Sequence, residues 1–215
     1  MIIEEIMKTN VATLKPSDTI EDAIRLMDSK KIRHIPITDD GKKVIGVVTD
    51  RDIKEAAPSI FHREEHSEDL QKSLDTIMKK NVITGHPLDF VEETAALFYE
   101  QKISCLPVVQ DGKLVGIVTE TDLLYTLVEL TGAHQPGSQF EIKVPNRTGT
   151  LFEIANVIRN RKANIQSILV YPDKKDDGYK ILVIRVQTMN PVGLIHDLKA
   201  AGHHVLWPNI PGMPI

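Results

Sequence analysis

The chain writes one stretch twice. "GVVTDRD", Gly46 to Asp52, returns roughly 70 residues later as "GIVTETD", Gly116 to Asp122. The match runs far upstream. "IMKTNVATLKPSDTIEDAIRLMDSKKIRHIPITDDGKKVIGVVTDRDI" aligns with "IMKKNVITGHPLDFVEETAALFYEQKISCLPVVQDGKLVGIVTETDL" across a single gap near Lys43. A repeat of this length commits the chain to a doubled structural unit, because both copies must meet the same folding problem with the same local chemistry.

Within each copy the local signals agree. Asp18 and Glu21 fit a capping box, ahead of Ile20, Ala23, Ile24 and Met27 at helical spacing. Asp89 and Glu92 do the same in the second copy, with Val91, Ala95 and Phe98 on the apolar stripe. A short strand follows, "HIPIT" or "CLPVV", then a turn, "DDGK" or "QDGK", whose Asp-Gly step signals a hairpin. The next strand, "VIGVVT" or "LVGIVT", leads into a helix. Each copy therefore reads β-α-β-β-α. One copy is too small to close a core alone, so the two are expected to pack face to face with pseudo-twofold symmetry.

The spacer "EAAPSIFHREEHSEDLQKSLDT" is polar and interrupted by Pro58. His62 and His66 stand four apart and could share a helix face as metal ligands. With no HExxH pattern and no third ligand, a solvated linker helix is the better reading. After the "TGAHQPGSQ" linker the pattern changes. "FEIKVP" alternates as a strand, and "LFEIANVIRNRKA" carries a helical stripe through Leu151, Ile154, Ala155 and Ile158. "NIQSILVYPD" and "YKILVIRVQT" are strands around the turn "KKDDG"; "NPVGLIHDLKAAG" is a helix expected to end at Gly202, and "HHVLWP" a last strand. The order is βαββαβ, a ferredoxin-like split sandwich. The closing "NIPGMPI" is too proline-rich for a helix. The fold class is α+β.

Two domains fit comfortably in 215 residues. No apolar run approaches the roughly 18 residues that span a bilayer, and the opening "MIIEEIMKTN" lacks a signal-peptide pattern, so no membrane partner is expected. The single cysteine, Cys105, leaves no intrachain disulfide and suits a reducing, cytoplasmic setting. Net charge −4 argues against binding long nucleic acid, though not against a local basic pocket.

The doubled unit resembles a tandem pair of CBS domains over residues 1–130, with repeat one at 1–58 and repeat two at 74–130. The two G-h-h-T-x-x-D stretches carry that likeness, with the "RHIP" and "SCLP" strands and the openings "NVATLKP" and "NVITGHP". Residues 139–209 resemble an ACT domain, through a strand, "PNRTGTL", a helix and "ANIQSI". The order, CBS pair then ACT, is similar to that of an acetoin-utilisation protein family. The resemblance implies ligand sensing. CBS pairs commonly bind adenosine compounds (AMP, ADP, ATP, sometimes S-adenosylmethionine) between their repeats. ACT domains commonly pair and in some cases bind amino acids near the first strand–helix loop.

The repeated Thr and Asp admit two readings. Thr49 with Asp52, and Thr119 with Asp122, are a plain N-cap and N3 acid. A carboxylate can equally accept both hydroxyls of a ribose, with Thr49 or Thr119 and helix amides holding ribose or phosphate oxygens. By the CBS resemblance, Thr13 and Thr84 face the nucleoside, and backbone around Arg33, His34 and Ile35, or Ser104, Cys105 and Leu106, meets the adenine edge. Pro36 and Pro107 cannot donate to a ladder, which suits a strand edge turned toward a ligand. The copies differ where phosphate would sit. Arg33, His34 and Arg51 stand in copy one against Ser104, Cys105 and Thr121 in copy two, so unequal affinities are expected, phosphates going to the basic groups of copy one. Arg33 could instead serve a ligand whose ribose lies on Asp122. In the ACT part, Asn146, Arg147 and Gly149 mark the turn for an amino-acid effector; the plainer alternative is a tight turn capped near Thr148 or Thr150.

An enzyme needs an activated nucleophile, an acid–base pair or a metal cluster. Cys105 lies in an apolar strand as an inert thiol, the histidines are scattered, and no G-x-S-x-G or Walker loop occurs. The expectation is a homodimeric cytoplasmic sensor of adenine nucleotide, with no catalytic cofactor and no metal. A non-binding dimerisation scaffold is the main alternative, and an enzyme of acetoin metabolism a weaker one.

Overall fold

Apolar spacing and turn chemistry place the elements, and a computed structural model describes residues 1–56 and 67–208. The candidate ligands His62 and His66, and the closing "NIPGMPI", lie outside the described residues. Among the described residues no group of three or more metal-ligating side chains occurs, and no helix is long and apolar enough to cross a membrane. The chain divides into two compact units, Met1–Leu124 and Tyr125–Ile215.

In the first unit, repeat one contains α1 (Ile20–Lys30), β1 (His34–Thr38), β2 (Val44–Thr49) and α2 (Asp50–Ala56). A short helix, α3 (Ser67–Leu70), precedes repeat two, which contains α4 (Val91–Gln101), β3 (Cys105–Gln110), β4 (Lys113–Thr119) and the start of α5 (Glu120–Thr131), whose residues from Tyr125 on belong to the second unit. Each strand pair is an antiparallel hairpin in matching register, with His34 opposite Thr49 and Cys105 opposite Thr119. The opening β of each copy is a one-residue parallel bridge, Leu14 to Ile37 and Gly85 to Val108. Asp39 fixes the first hairpin turn by accepting from the Gly41 and Lys43 amides at 2.9 and 2.8 Å.

Two local expectations need correction. The capping box of α1 is Thr19 with Asp22, one residue later than Asp18 with Glu21. In α4 the N-cap is Phe90, with no side-chain cap, so Asp89 and Glu92 form no box. Asp18 and Asp89 close the preceding turn instead, accepting from the amides of Lys15 and His86 at 2.7 Å each. On α4 the inward stripe is Val91, Thr94 and Phe98, while Ala95 is exposed. It matches Ile20, Ala23 and Met27 of α1, where Ile24 is only half-buried.

The segments that lead into each repeat cross over. A 3₁₀ turn at Ile3–Glu5 docks on repeat two: the Ile3 amide donates to Asp89 O and the Val91 amide to Met1 O. Its counterpart at Leu74–Thr76 docks on repeat one, with the Leu74 amide on Asp18 O and the Ile20 amide on Lys72 O. Each lead-in thus satisfies an orphan amide at the start of the opposite repeat's first helix. Ile3 completes the core of Val91, Phe98, Leu106, Val108 and Val118, and Leu74 the core of Ile20, Ala23, Ile35, Ile37 and Val48. Between them, Val47 of β2 meets Cys105 and Ile117 of β3 and β4 in a smaller cluster. The repeats share a core.

This crossing explains the glycine that opens each repeated stretch. A Cβ on Gly46 would lie 2.6 Å from Met78 Sδ, and one on Gly116 would collide with Met7 Sδ. The methionine belongs to the opposite lead-in in both cases.

In the second unit β5 (Ser138–Pro145), α6 (Thr150–Asn160), β6 (Ile165–Pro172), β7 (Tyr179–Val186), α7 (Val192–Ala200) and β8 (His204–Trp207) form an antiparallel sheet in the order β6-β7-β5-β8. This is the βαββαβ sandwich. Phe140, Ile142 and Val144 alternate inward from β5 against Ile154 and Ile158 of α6 and Leu194, Ile195 and Leu198 of α7. Leu151 is exposed, contrary to its place in the expected stripe; Thr150 occupies the inward position one turn before Ile154. Gly202 follows the end of α7 with φ +85°, as a helix-stopping glycine should.

Candidate functional site

The threonine and aspartate of each repeated stretch do act as a cap. Asp52 Oδ2 accepts from the Thr49 amide and hydroxyl at 2.8 and 2.6 Å, and the Asp52 amide donates back to Thr49 Oγ1 at 3.2 Å. In repeat two Asp122 Oδ2 accepts from the Thr119 amide and hydroxyl at 2.9 and 2.6 Å. The other oxygen of each acid faces a lysine from a crossed lead-in. Lys8 Nζ lies 2.9 Å from Asp122 Oδ1, and Lys79 Nζ 3.4 Å from Asp52 Oδ1. Sequence reasoning missed both lysines, although "IMKTN" and "IMKKN" place them at the same position of each copy. Burial opposes ionisation of Asp122, but the Thr119 hydroxyl, the Lys8 ammonium and the Thr119 amide outweigh it and hold the carboxyl below its usual value. It is an anion at neutral pH.

Two cavities flank these pairs, each assembled from both repeats. The larger, about 260 Å³, has Lys31, Arg33 and His34 of repeat one against Ile117, Thr119 and Thr121 of repeat two with Lys8, which is bridged to Ile117. The smaller, about 140 Å³, has Val47, Thr49 and Lys79 against Asn81, Val82, Ile83, Lys102, Ser104 and Cys105. Each cavity therefore joins one repeat's hairpin entrance to the other repeat's Thr-x-x-Asp turn. Arg33 is brought beside the turn that carries Asp122. Arg51 is not brought to Arg33: it is exposed, pairs with Glu55 at 3.0 Å, and lines neither cavity. The expected grouping of copy-one basic residues is corrected accordingly, because the Arg51 turn faces the other cavity.

Several expected residues lie elsewhere. Ile35 and Leu106 are fully buried core. Pro36 and Pro107 are buried, and their carbonyls accept from the amides of Leu14 and Gly85 at 3.4 and 3.0 Å, so that stretch of strand edge is covered rather than open. Thr13 and Thr84 are exposed and line neither cavity. Asn81, Val82 and Ile83, just upstream of Thr84, line the smaller cavity instead. His34 Nε2 lies 2.8 Å from Ser104 Oγ, joining the two walls. Burial, reinforced by Arg33, holds His34 below the ordinary histidine value. Cys105 is buried and its thiol is pushed up to about 12 by burial, which makes it a protonated, unreactive group at neutral pH.

Larger cavities occur without either acid. One of about 410 Å³ lies between α1 and α2, and one of about 480 Å³ is lined by Gln135, Gln166 and Gln187 in the second unit. Size alone does not select a site; convergent charge does. At the β5–α6 turn, Gly149 takes φ +87° with open space around it, so it supplies backbone freedom rather than close approach. Arg147 makes a two-pronged contact with Glu153 at 2.9 and 3.0 Å, and the Asn146 amide donates to Gly178 O at 2.8 Å. Thr150 Oγ1 donates to the Arg147 carbonyl at 3.1 Å.

Comparison with known proteins gives the families of the two parts. The CBS domain family matches residues 3–59 and 74–129, and the ACT domain family matches residues 138–203. The structure is similar to a Vibrio cholerae protein assigned to acetoin utilization (AcuB), with TM-score 0.54 and 32% identity, over 63% of this chain and 96% of that one. It is also similar to CBSX2 of Arabidopsis thaliana in complex with AMP, with TM-score 0.51 and 29% identity, over 59% and 96% of the two chains. Homoserine O-acetyltransferase of Methanococcus vannielii is 36% identical over 127 residues, which are 59% of this chain and 25% of that enzyme. The chain thus spans about a quarter of that relative's length, and the match lies in the CBS part.

Proposed function

The chain belongs to the CBS domain family, its CBS pair followed by an ACT domain, and from that premise we propose a non-catalytic, cytoplasmic regulatory protein that binds adenine nucleotide between the CBS repeats. One observation carries this reading: the larger cavity gathers Lys8, Lys31 and Arg33 with Thr119 and Thr121, and Lys8 pairs with Asp122. Guanidinium and ammonium groups suit phosphate, and a carboxylate suits the ribose diol. AMP in the similar CBSX2 supports the ligand class. Oδ2 of each acid already accepts two bonds from its threonine, which in this reading leaves Oδ1 for the ribose hydroxyls.

The smaller cavity, with Ser104 and Cys105 where the larger has Arg33 and His34, is proposed as the weaker site. Occupancy would be signalled through the ACT domain or to a partner by favouring one arrangement of the protein. The likeness to the Vibrio cholerae protein supports a place in acetoin utilisation. A second, less supported site is an amino-acid effector at Asn146, Arg147 and Gly149, where Glu153 already engages the arginine. We also propose a twofold homodimer. Tyr99, Leu124, Tyr125 and Leu127 on α4 and α5 are more than half exposed, as is Val170 on the edge strand β6.

Titration calorimetry with AMP, ADP, ATP and S-adenosylmethionine tests the main reading. At least one should give saturable heat, and Asp122→Ala should weaken it while leaving the fold intact. No heat with any adenosine compound would leave the scaffold reading in its place.

A further inference from the structure

We propose that Lys8 and Lys79 set the ligand specificity of the two cavities: each ammonium holds the ribose-facing oxygen of an acid until a ligand brings a phosphate that takes the ammonium in exchange. This rests on the nucleotide reading above and refines it, naming phosphorylated nucleosides over bare ones.

The wall of each cavity contains the lysine but not the acid. Lys8 lines the larger cavity and touches Asp122; Lys79 lines the smaller one and faces Asp52. Oδ1 is the oxygen that each ammonium now engages, so a ribose on Oδ1 competes with it. The acids cannot turn to meet a ligand elsewhere, because Thr119 and Thr49 hold Oδ2 from two directions. The lysine backbones are equally fixed. Lys8 exchanges two amide bonds with Ile117, both 3.0 Å, and Lys79 exchanges two with Val47, at 3.1 and 2.9 Å. Only the side-chain stems can move, and these are 63% and 67% exposed.

Where a displaced ammonium goes decides the specificity. No carboxylate lines either cavity, although Asp50 and Glu120 act on His34 from beside the larger one, which already holds Lys31 and Arg33. A bare nucleoside would therefore strand a cation among cations. A phosphate gives it a partner on the same four-carbon tether. The shorter pair, at Asp122, places the stronger selection in the larger cavity.

The test is titration calorimetry of AMP and adenosine against the whole chain and against Lys8→Met, which keeps the stem and the backbone bridge. AMP should weaken and adenosine tighten, so that the preference for AMP falls by about tenfold or more. Lys8→Arg should restore it. In an Asp122→Asn background Lys8→Met should no longer tighten adenosine, which a packing role of the stem would not explain. An unchanged preference in Lys8→Met overturns the proposal. A ligand-free readout separates the failures. The Asp122 carboxyl, followed by carbon NMR across acid pH, should titrate higher in Lys8→Met, and an unmoved titration overturns the pairing directly. If that titration moves but the wild type binds no adenosine compound, the nucleotide reading falls and the exchange with it. If nucleotide binds and only the preference is unmoved, the lysine role alone falls.

Discussion

The two cavities beside the Thr–Asp turns are built on one frame and walled differently. Both have a Thr–Asp cap from one repeat, a lysine from a crossed lead-in, and a hairpin entrance from the other repeat. In the larger cavity the entrance is Arg33 and His34; in the smaller it is Ser104 and Cys105. The frame holds contacts that recur in both copies and support folding: the Thr–Asp caps, the reciprocal lead-in bonds and the glycine–methionine approaches. The hairpin entrances are where the two copies differ.

That separation can be broken at the frame first. Ile3→Ala and Leu74→Ala each remove a fully buried side chain and should cost about 2–5 kcal/mol in denaturant unfolding. By the crossing, Ile3→Ala should raise hydrogen exchange in α4 and β3, and Leu74→Ala in α1 and β1; the reverse pattern would refute the exchange of lead-ins. Gly46→Ala should cost roughly 1–3 kcal/mol as its Cβ meets Met78, and Met78→Ala in the same chain should recover part of it. Thr49→Ala removes a cap and should cost about 1 kcal/mol.

The wall offers gentler tests. Exchanging entrances, as Arg33→Ser with Ser104→Arg, should cost about 1 kcal/mol through the lost Ser104–His34 hydrogen bond and shift the tighter AMP site to the Asp52 side, by about tenfold in each affinity. A swap that changes neither affinity would mean that Arg33 does not meet phosphate. The smallest effect is one of pH. His34 is held below its ordinary value of 6.5 mainly by burial, so the unfolded chain takes up its proton first as pH falls. Its contribution is complete above 6.5 and declines below it, and His34→Gln should flatten that part of the stability curve.

How legible all this was depends on range. The repeat, both hairpins and the βαββαβ order follow from periods and turn residues within a dozen positions, and those were readable. The helix starts were readable only to within one residue, because Asp18-x-x-Glu21 and Thr19-x-x-Asp22 satisfy the same box pattern, and only the backbone decides between them. The crossing was invisible to local pattern, since it joins Ile3 to Asp89 and Leu74 to Asp18. Lys8 and Lys79 went unnoticed for the same reason, their acids lying in the other copy. The cap and ligand readings of Asp52 and Asp122 were posed as rivals, whereas the structure gives the cap one oxygen and a cavity-lining lysine the other.

The exchange of lead-ins has a consequence for how such a chain can change over time. Each half keeps its partner's plug, so a half cut away and expressed alone would have to fill the gap with the equivalent plug of a second copy of itself. Neither copy can drift on its own at Ile3, Leu74, Met7 or Met78 without spoiling its sibling. Reciprocity of this kind acts as a ratchet that holds a duplicated gene segment together.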